Sequence, residues 1–109
     1  MVKGNPRIEV VKGDYYQKNI IIKGIDVEDI DNIYVSCKTL NICKTAEYDS
    51  EAQKYSFSFS PEETSNFEEG LTNYDITFKF KDDKIKTVTY CSSFNVLPKI
   101  NEVRCLNDE

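Results

Sequence analysis

At 109 residues, with a net charge of −5 and neither histidine nor tryptophan, the chain is one domain able to bury roughly 65% of its unfolded surface in a single core. The missing histidine removes Ser–His–Asp and Cys–His catalysis and any imidazole metal ligand. The acidic balance lacks a dense Lys/Arg block and so excludes a duplex or membrane surface as the expected partner, and no apolar run approaches the ~20 residues of a membrane span.

The chain opens Met-Val-Lys-Gly-Asn-Pro, without a signal peptide's apolar region, which predicts a frayed start and a protein made and kept in the cytoplasm. Ile8 and Val10 alternate with Arg7, Glu9 and Lys12 in a short first strand, because successive strand side chains point to opposite faces. Gly13-Asp14 reads as a turn. Tyr16, Ile20 and Ile22 share one parity of a second strand. Lys18 interrupts that face, with its stem expected on the apolar surface and its ammonium in water.

Residues 24–31 read as a loop carrying Asp26, Glu28, Asp29 and Asp31. Clustered carboxylates suit Ca²⁺, but their order departs from the alternating calcium loop, so a solvated acidic segment is expected over residues 26–31. Nothing nearby supplies a pocket to shift their pKa values for acid–base work. No metal or cofactor is predicted.

Ile33, Val35 and Cys37 form the inward set of a third strand, with Tyr34, Ser36 and Lys38 pointing the other way. Leu40 and Ile42 suggest a short fourth strand at an edge, and Asp49-Ser50-Glu51 a polar turn. Cys37 follows the inward parity, whereas Cys91 opposes the parity of Val88 and Tyr90. With Cys43 and Cys105 they are expected as free thiols; no C-x-x-C spacing favours zinc.

Residues 54–81 organise the remainder. Tyr55, Phe57 and Phe59 fall on one parity, and Tyr74, Ile76, Phe78 and Phe80 do the same after a short helical interval over 61–67. Ser60 reads as its N-cap, Pro61 as the first helical residue and Glu63 as the reciprocal member of a capping box. Glu62 and Glu63 then sit at the positive end of the turn, where an anion is favourable. Gly70 supplies the reversing conformation other residues avoid. Residues 81–84 close a hairpin. The last strand carries Val88, Tyr90, Phe94 and Val96, with Ser92-Ser93 marking a bulge or a bend and Pro98 the end. From Lys99 the tail is polar and expected to be loose.

Together these elements predict an all-β, immunoglobulin-like antiparallel sandwich of about seven strands, with one helical turn between strands five and six. Its core spans about residues 7–98 of a single domain. Tyr74 sits where a tyrosine corner would, with a plain core tyrosine as the alternative.

The residues Gly13-Asp14, Ile30-Asp31, Phe57-Ser58-Phe59-Ser60-Pro61-Glu62-Glu63-Thr64, Glu69-Gly70 with Tyr74-Asp75-Ile76, and Val88 through Phe94-Asn95-Val96-Leu97-Pro98 form an ordered pattern. It resembles the small immunoglobulin-like domains of tailed-bacteriophage structural proteins, notably the N-terminal domain of baseplate upper proteins, over about residues 8 to 98. Where that family has glycine before the final phenylalanine, this chain has Ser92-Ser93. The family domain commonly precedes a linker and a receptor-binding or fibre region, whereas a short tail follows here.

The resemblance implies a non-enzymatic phage or prophage virion or assembly protein (baseplate, tail or fibre-type adaptor), with other virion proteins as partners, in a homo-oligomer by analogy, and with residence in the virion. It supplies no catalytic residues. Docking would use complementary surface and strand edges, and the outward residues Tyr34, Ser36, Lys38 and Tyr48 form the expected contact face. The alternative is a carbohydrate- or peptide-binding module on the same fold. An enzyme using two carboxylates ranks third, since it needs a cleft for which the chain has little spare loop.

Overall fold

The computed structural model describes residues 7–22 and 24–99. The expectations for the first six residues, for Cys105 and for the tail after Lys99 lie outside them.

The alternating runs form strands β1 (Ile8–Val11), β2 (Tyr16–Ile20), β3 (Ile30–Cys37), β4 (Ile42–Thr45), β5 (Glu47–Asp49), β6 (Lys54–Phe59), β7 (Gly70–Phe80) and β8 (Ile85–Leu97). Helix α1 (Pro61–Ser65) joins β6 to β7, and a 3-10 turn spans Val27–Asp29. The strands make a five-stranded sheet in the order β1-β8-β7-β3-β4 and a three-stranded sheet in the order β2-β6-β5. This is an immunoglobulin-like sandwich. All pairs are antiparallel except β1 with β8, which run parallel from Ile8 opposite Phe94 to Val11 opposite Leu97.

Several boundaries differ from the sequence expectation. Among the described residues there are eight strands rather than about seven. The additional one is β5, which precedes the expected polar turn and pairs Tyr48 with Tyr55. Leu40 falls in the turn before β4, so that strand starts later than its apolar pair suggests. Ile22 lies beyond the end of β2. The acidic segment is partly ordered, since Asp26 caps the 3-10 turn by accepting from the Glu28 N–H at 3.1 Å, while Asp31 already belongs to β3. The helical turn ends at Ser65, inside the expected 61–67 interval.

The core is the inward parity of both sheets: Ile33, Val35 and Cys37 of β3, Tyr55, Phe57 and Phe59 of β6, Tyr74, Ile76 and Phe78 of β7, and Phe94 and Val96 of β8 are all buried. Phe59 links the layers, with its ring 6.1 Å from Phe94 of the other sheet and 5.3 Å from Phe67 after the helix, edge-on to the latter. Tyr74 is a core residue stacked 5.0 Å from Tyr90, and burial pushes its phenol well above the usual range. Tyr16 is likewise pushed up to about 12, chiefly by burial and then by Glu9. Lys18 is half-buried, and desolvation lowers its ammonium pKa, as expected for a lysine lying along an apolar surface.

Helix α1 fastens the sandwich. The Ser60 hydroxyl accepts from the Glu63 N–H at 3.1 Å, and Glu63 Oε1 accepts from the Ser60 N–H at 2.8 Å, completing the capping box. Across the open side of the sandwich, Lys44 Nζ of edge strand β4 donates to both Glu63 oxygens, at 2.7 and 3.0 Å. Its ammonium lies 5.8 Å from the Phe59 ring centroid. The Lys44 hydrogen bond, followed by that of the Ser60 backbone, holds the Glu63 carboxyl below its ordinary 4.5.

A carboxyl with a lowered folded-state pKa stabilises above its unfolded pKa and loses that contribution as pH falls through the folded value. Replacing Glu63 with glutamine is therefore expected to cost roughly 1 kcal/mol at neutral pH, a modest figure because the pair is partly solvated. The difference from the parent should shrink as urea titrations move below pH 4.5. A constant difference would contradict the assignment.

The irregularity expected at Ser92-Ser93 is a bulge. The β7–β8 register shifts between Thr72 opposite Phe94 and Tyr74 opposite Tyr90, leaving the extra residues on β8. Ser92 has φ 54°, in the left-handed region. Serine thus holds the backbone conformation for which glycine is suited. Replacing Ser92 with glycine should raise unfolding stability by roughly 0.5–1 kcal/mol, and valine there should lower it; chemical denaturation of the pair checks both signs.

Candidate protein-contact surface

The outer face of the large sheet is built by strand order. In the register, Thr45, Tyr34, Thr77 and Thr87 form one row across β4, β3, β7 and β8, and Cys43, Ser36, Asp75 and Thr89 form the next. Directly opposed residues share a face. The intervening row, Lys44, Val35, Ile76 and Val88, belongs to the inner face. The outer rows are therefore an array rich in hydroxyls. The Thr77 and Thr87 hydroxyls lie 3.2 Å apart. Charge beside the array is partly compensated, since Lys79 lies 3.8 Å from Asp31.

Two of the four residues expected at a contact face, Tyr34 and Ser36, belong to this array and are half-buried within it. Lys38 is exposed in the turn just past β3. Tyr48 is elsewhere: it sits on β5 of the small sheet, opposite Tyr55, with ring centroids 4.8 Å apart. Tyr55 is a core residue, so Tyr48 occupies the inner face at an edge, where it is 45% exposed. The chain changes sheets at Ala46, between β4 and β5. That crossing inverts the expected continuity between Tyr34 and Tyr48. Thr45, Thr77, Thr87, Thr89 and Asp75 complete the face instead; their outward parity is readable in sequence, but their adjacency is not.

Other candidate chemistry disperses. An open depression is lined by Gly24, Ile25, Asp26, Asp29, Phe80 and Lys81. The Asp26 carboxylate there caps the 3-10 turn, and Asp29 is held through its backbone, whose carbonyl accepts from the Lys81 N–H at 2.9 Å. Among the described residues, no three Cys, Asp or Glu side chains gather as a metal-ligand set. Cys37 is a buried thiol, and Cys43 and Cys91 are exposed thiols. No helix among the described residues is long and apolar enough to cross a membrane. Lys99, placed by sequence in the loose tail, lies 3.2 Å from Asp14.

The fold defines an all-β sandwich of immunoglobulin-like type, and the site defines a hydroxyl-rich sheet face. No family model, curated protein or solved structure matches the chain.

Proposed function

We propose that this protein is a non-enzymatic docking module of a tailed-phage or prophage particle, a baseplate, tail or fibre-type adaptor that joins other virion proteins through its large-sheet face. The observation supporting the reading is the pair of outward rows through Tyr34 and Ser36, a four-strand-wide surface with many hydrogen-bonding groups and Asp75 as the one charge in the two rows. Sheet faces of this kind suit rigid protein contact, because strand backbones hold the side chains in a fixed array. The residues resembling the phage domain pattern serve the scaffold: Ser60, Glu63 and Thr64 are all engaged in internal hydrogen bonds.

Mass spectrometry of particles purified after prophage induction tests the reading. The chain is expected at a fixed stoichiometry with tail proteins. Its absence from particles, together with binding on a glycan or peptide array, would replace the proposal with the ligand-binding alternative. With the virion partner in hand, Tyr34→Ala is expected to weaken binding roughly tenfold, as buried interface aromatics do, whereas Tyr48→Ala should leave it unchanged. Calorimetric titration of both variants reads the difference.

A further inference from the structure

Among the described residues, the longest open strand edge belongs to β8. Strand β1 covers it only from Phe94 to Leu97, and Arg7, before β1, is no longer strand. Among the described residues, β8 from Ile85 to Ser93 pairs on one side alone, with β7. The other edges are shorter and carry charge: β1 and β4 have four residues each, with Glu9 in β1 and Lys44 of β4 tied to Glu63, β2 has five with Lys18 at its centre, and β5 is Glu47–Asp49 with acidic residues at both ends. Such features discourage strand addition. Residues 85–91, Ile-Lys-Thr-Val-Thr-Tyr-Cys, contain no proline or glycine and are dominated by strand-favouring types.

The direction of the edge's hydrogen-bonding groups follows from the hairpin. Phe80 N–H donates to the Lys84 carbonyl at 2.9 Å. The adjoining pair, Lys79 with Ile85, is therefore the non-hydrogen-bonded kind, and the alternation makes Phe78–Lys86, Ile76–Val88 and Tyr74–Tyr90 the hydrogen-bonded pairs. Lys86, Val88 and Tyr90 thus direct their backbone groups toward β7. Ile85, Thr87 and Thr89 direct theirs to the open edge.

We infer that the β8 edge is a self-association site, where a second copy of this chain adds its own β8 antiparallel and joins the two large sheets into one. The stretch is self-complementary about Val88. With Val88 on the two-fold axis, Thr87 faces Thr89 of the second copy, and both turn their backbone groups into the junction, so each pair exchanges two hydrogen bonds. Lys86 faces Tyr90, and Ile85 faces Cys91. No like charges oppose each other, the hydroxyls of Thr87 and Thr89 meet across the junction on one face, and the lysine lies against an aromatic ring on the other. The same patch contributes to both sides, as a two-fold interface requires. The inference does not depend on the virion reading.

A charge-swap experiment on the purified full chain tests it. Sedimentation equilibrium over a concentration series is expected to show a monomer–dimer equilibrium for the unsubstituted protein. The variants T87K/T89K and T87E/T89E place like charges opposite each other across the junction and should each dimerise roughly tenfold more weakly. Because Thr87 meets Thr77 and Thr89 faces Asp75 within the same chain, thermal melts are read beside the sedimentation, and both variants should remain folded at the temperature of the assay. Mixing the two variants should restore a heterodimer. In the unsubstituted chain, the Thr87 and Thr89 amides should exchange more slowly as concentration rises, while that of Val88 should not change. A protein that stays monomeric throughout, or a dimer indifferent to the substitutions, would overturn the proposal.

Discussion

Phe59→Ala is expected to lower unfolding stability by about 3–5 kcal/mol, the usual cost of deleting a buried aromatic without collapse of the site. For a domain of this size the total is about 5–15 kcal/mol, so the variant approaches the limit of folding. The reason is position rather than size alone. Phe59 is 1% exposed and touches both layers: Tyr16 and Phe57 of its own sheet, Phe94 of the other, and Phe67 of the connection after α1. The Lys44 ammonium that clasps Glu63 also lies over its ring. A cavity there would loosen the packing between the sheets and the seat of the clasp together. Urea unfolding should show a lowered midpoint at an unchanged slope, and Phe59→Leu should recover much of the loss because it refills most of the volume.

The second large effect is expected at Thr64, a buried polar residue with no exposed surface. Its hydroxyl accepts from the Gly13 N–H at 2.9 Å and donates to the Asp14 carbonyl at 2.8 Å, so α1 holds the turn between β1 and β2. Gly13 has φ +87°, a conformation that glycine adopts without steric cost. Thr64→Val keeps the shape but removes both interactions and leaves the Gly13 N–H without that oxygen. A loss of about 1–3 kcal/mol follows from the desolvation of a buried donor. Thr64→Ser keeps the oxygen and should fall well short of that loss. Faster amide exchange at Gly13 in the valine variant, and near-parental exchange in the serine variant, would separate the hydrogen bonds from simple packing. Equal destabilisation by both would point to the methyl group instead.

Much of the fold was readable because its signals are local. The parity of Tyr55, Phe57 and Phe59 states which face meets the core, and Ser60-Pro61-Glu62-Glu63 writes the helix start in four adjacent residues. The middle of β8 was readable too, since Ser92-Ser93 interrupts an otherwise regular strand. What failed was the face that combined Tyr34 with Tyr48. Tyr34 has clear outward parity in its strand, whereas the alternation weakens between Leu40 and Tyr48, so only continuation of the same face reaches Tyr48. Parity is defined only within one sheet, however, and β4 and β5 lie in different sheets on either side of Ala46. Thr64 was noticed only as part of a resemblance. Its role was invisible because Gly13 and Asp14, its partners, lie about fifty positions earlier.

The class of fold, the inward parity of the core strands and the capped turn are legible in the residues alone, because two-residue alternation and capping operate between near neighbours. Tertiary structure alone decided which strands became neighbours. That choice aligned Tyr34 and Ser36 with Thr77, Thr87 and Thr89 in one hydroxyl-rich face, brought Lys44 to Glu63, and, among the described residues, left β8 paired on one side alone from Ile85 to Ser93. Strand pairing is a long-range competition in which the inward faces of both sheets are buried together, so no short window of residues contains its outcome.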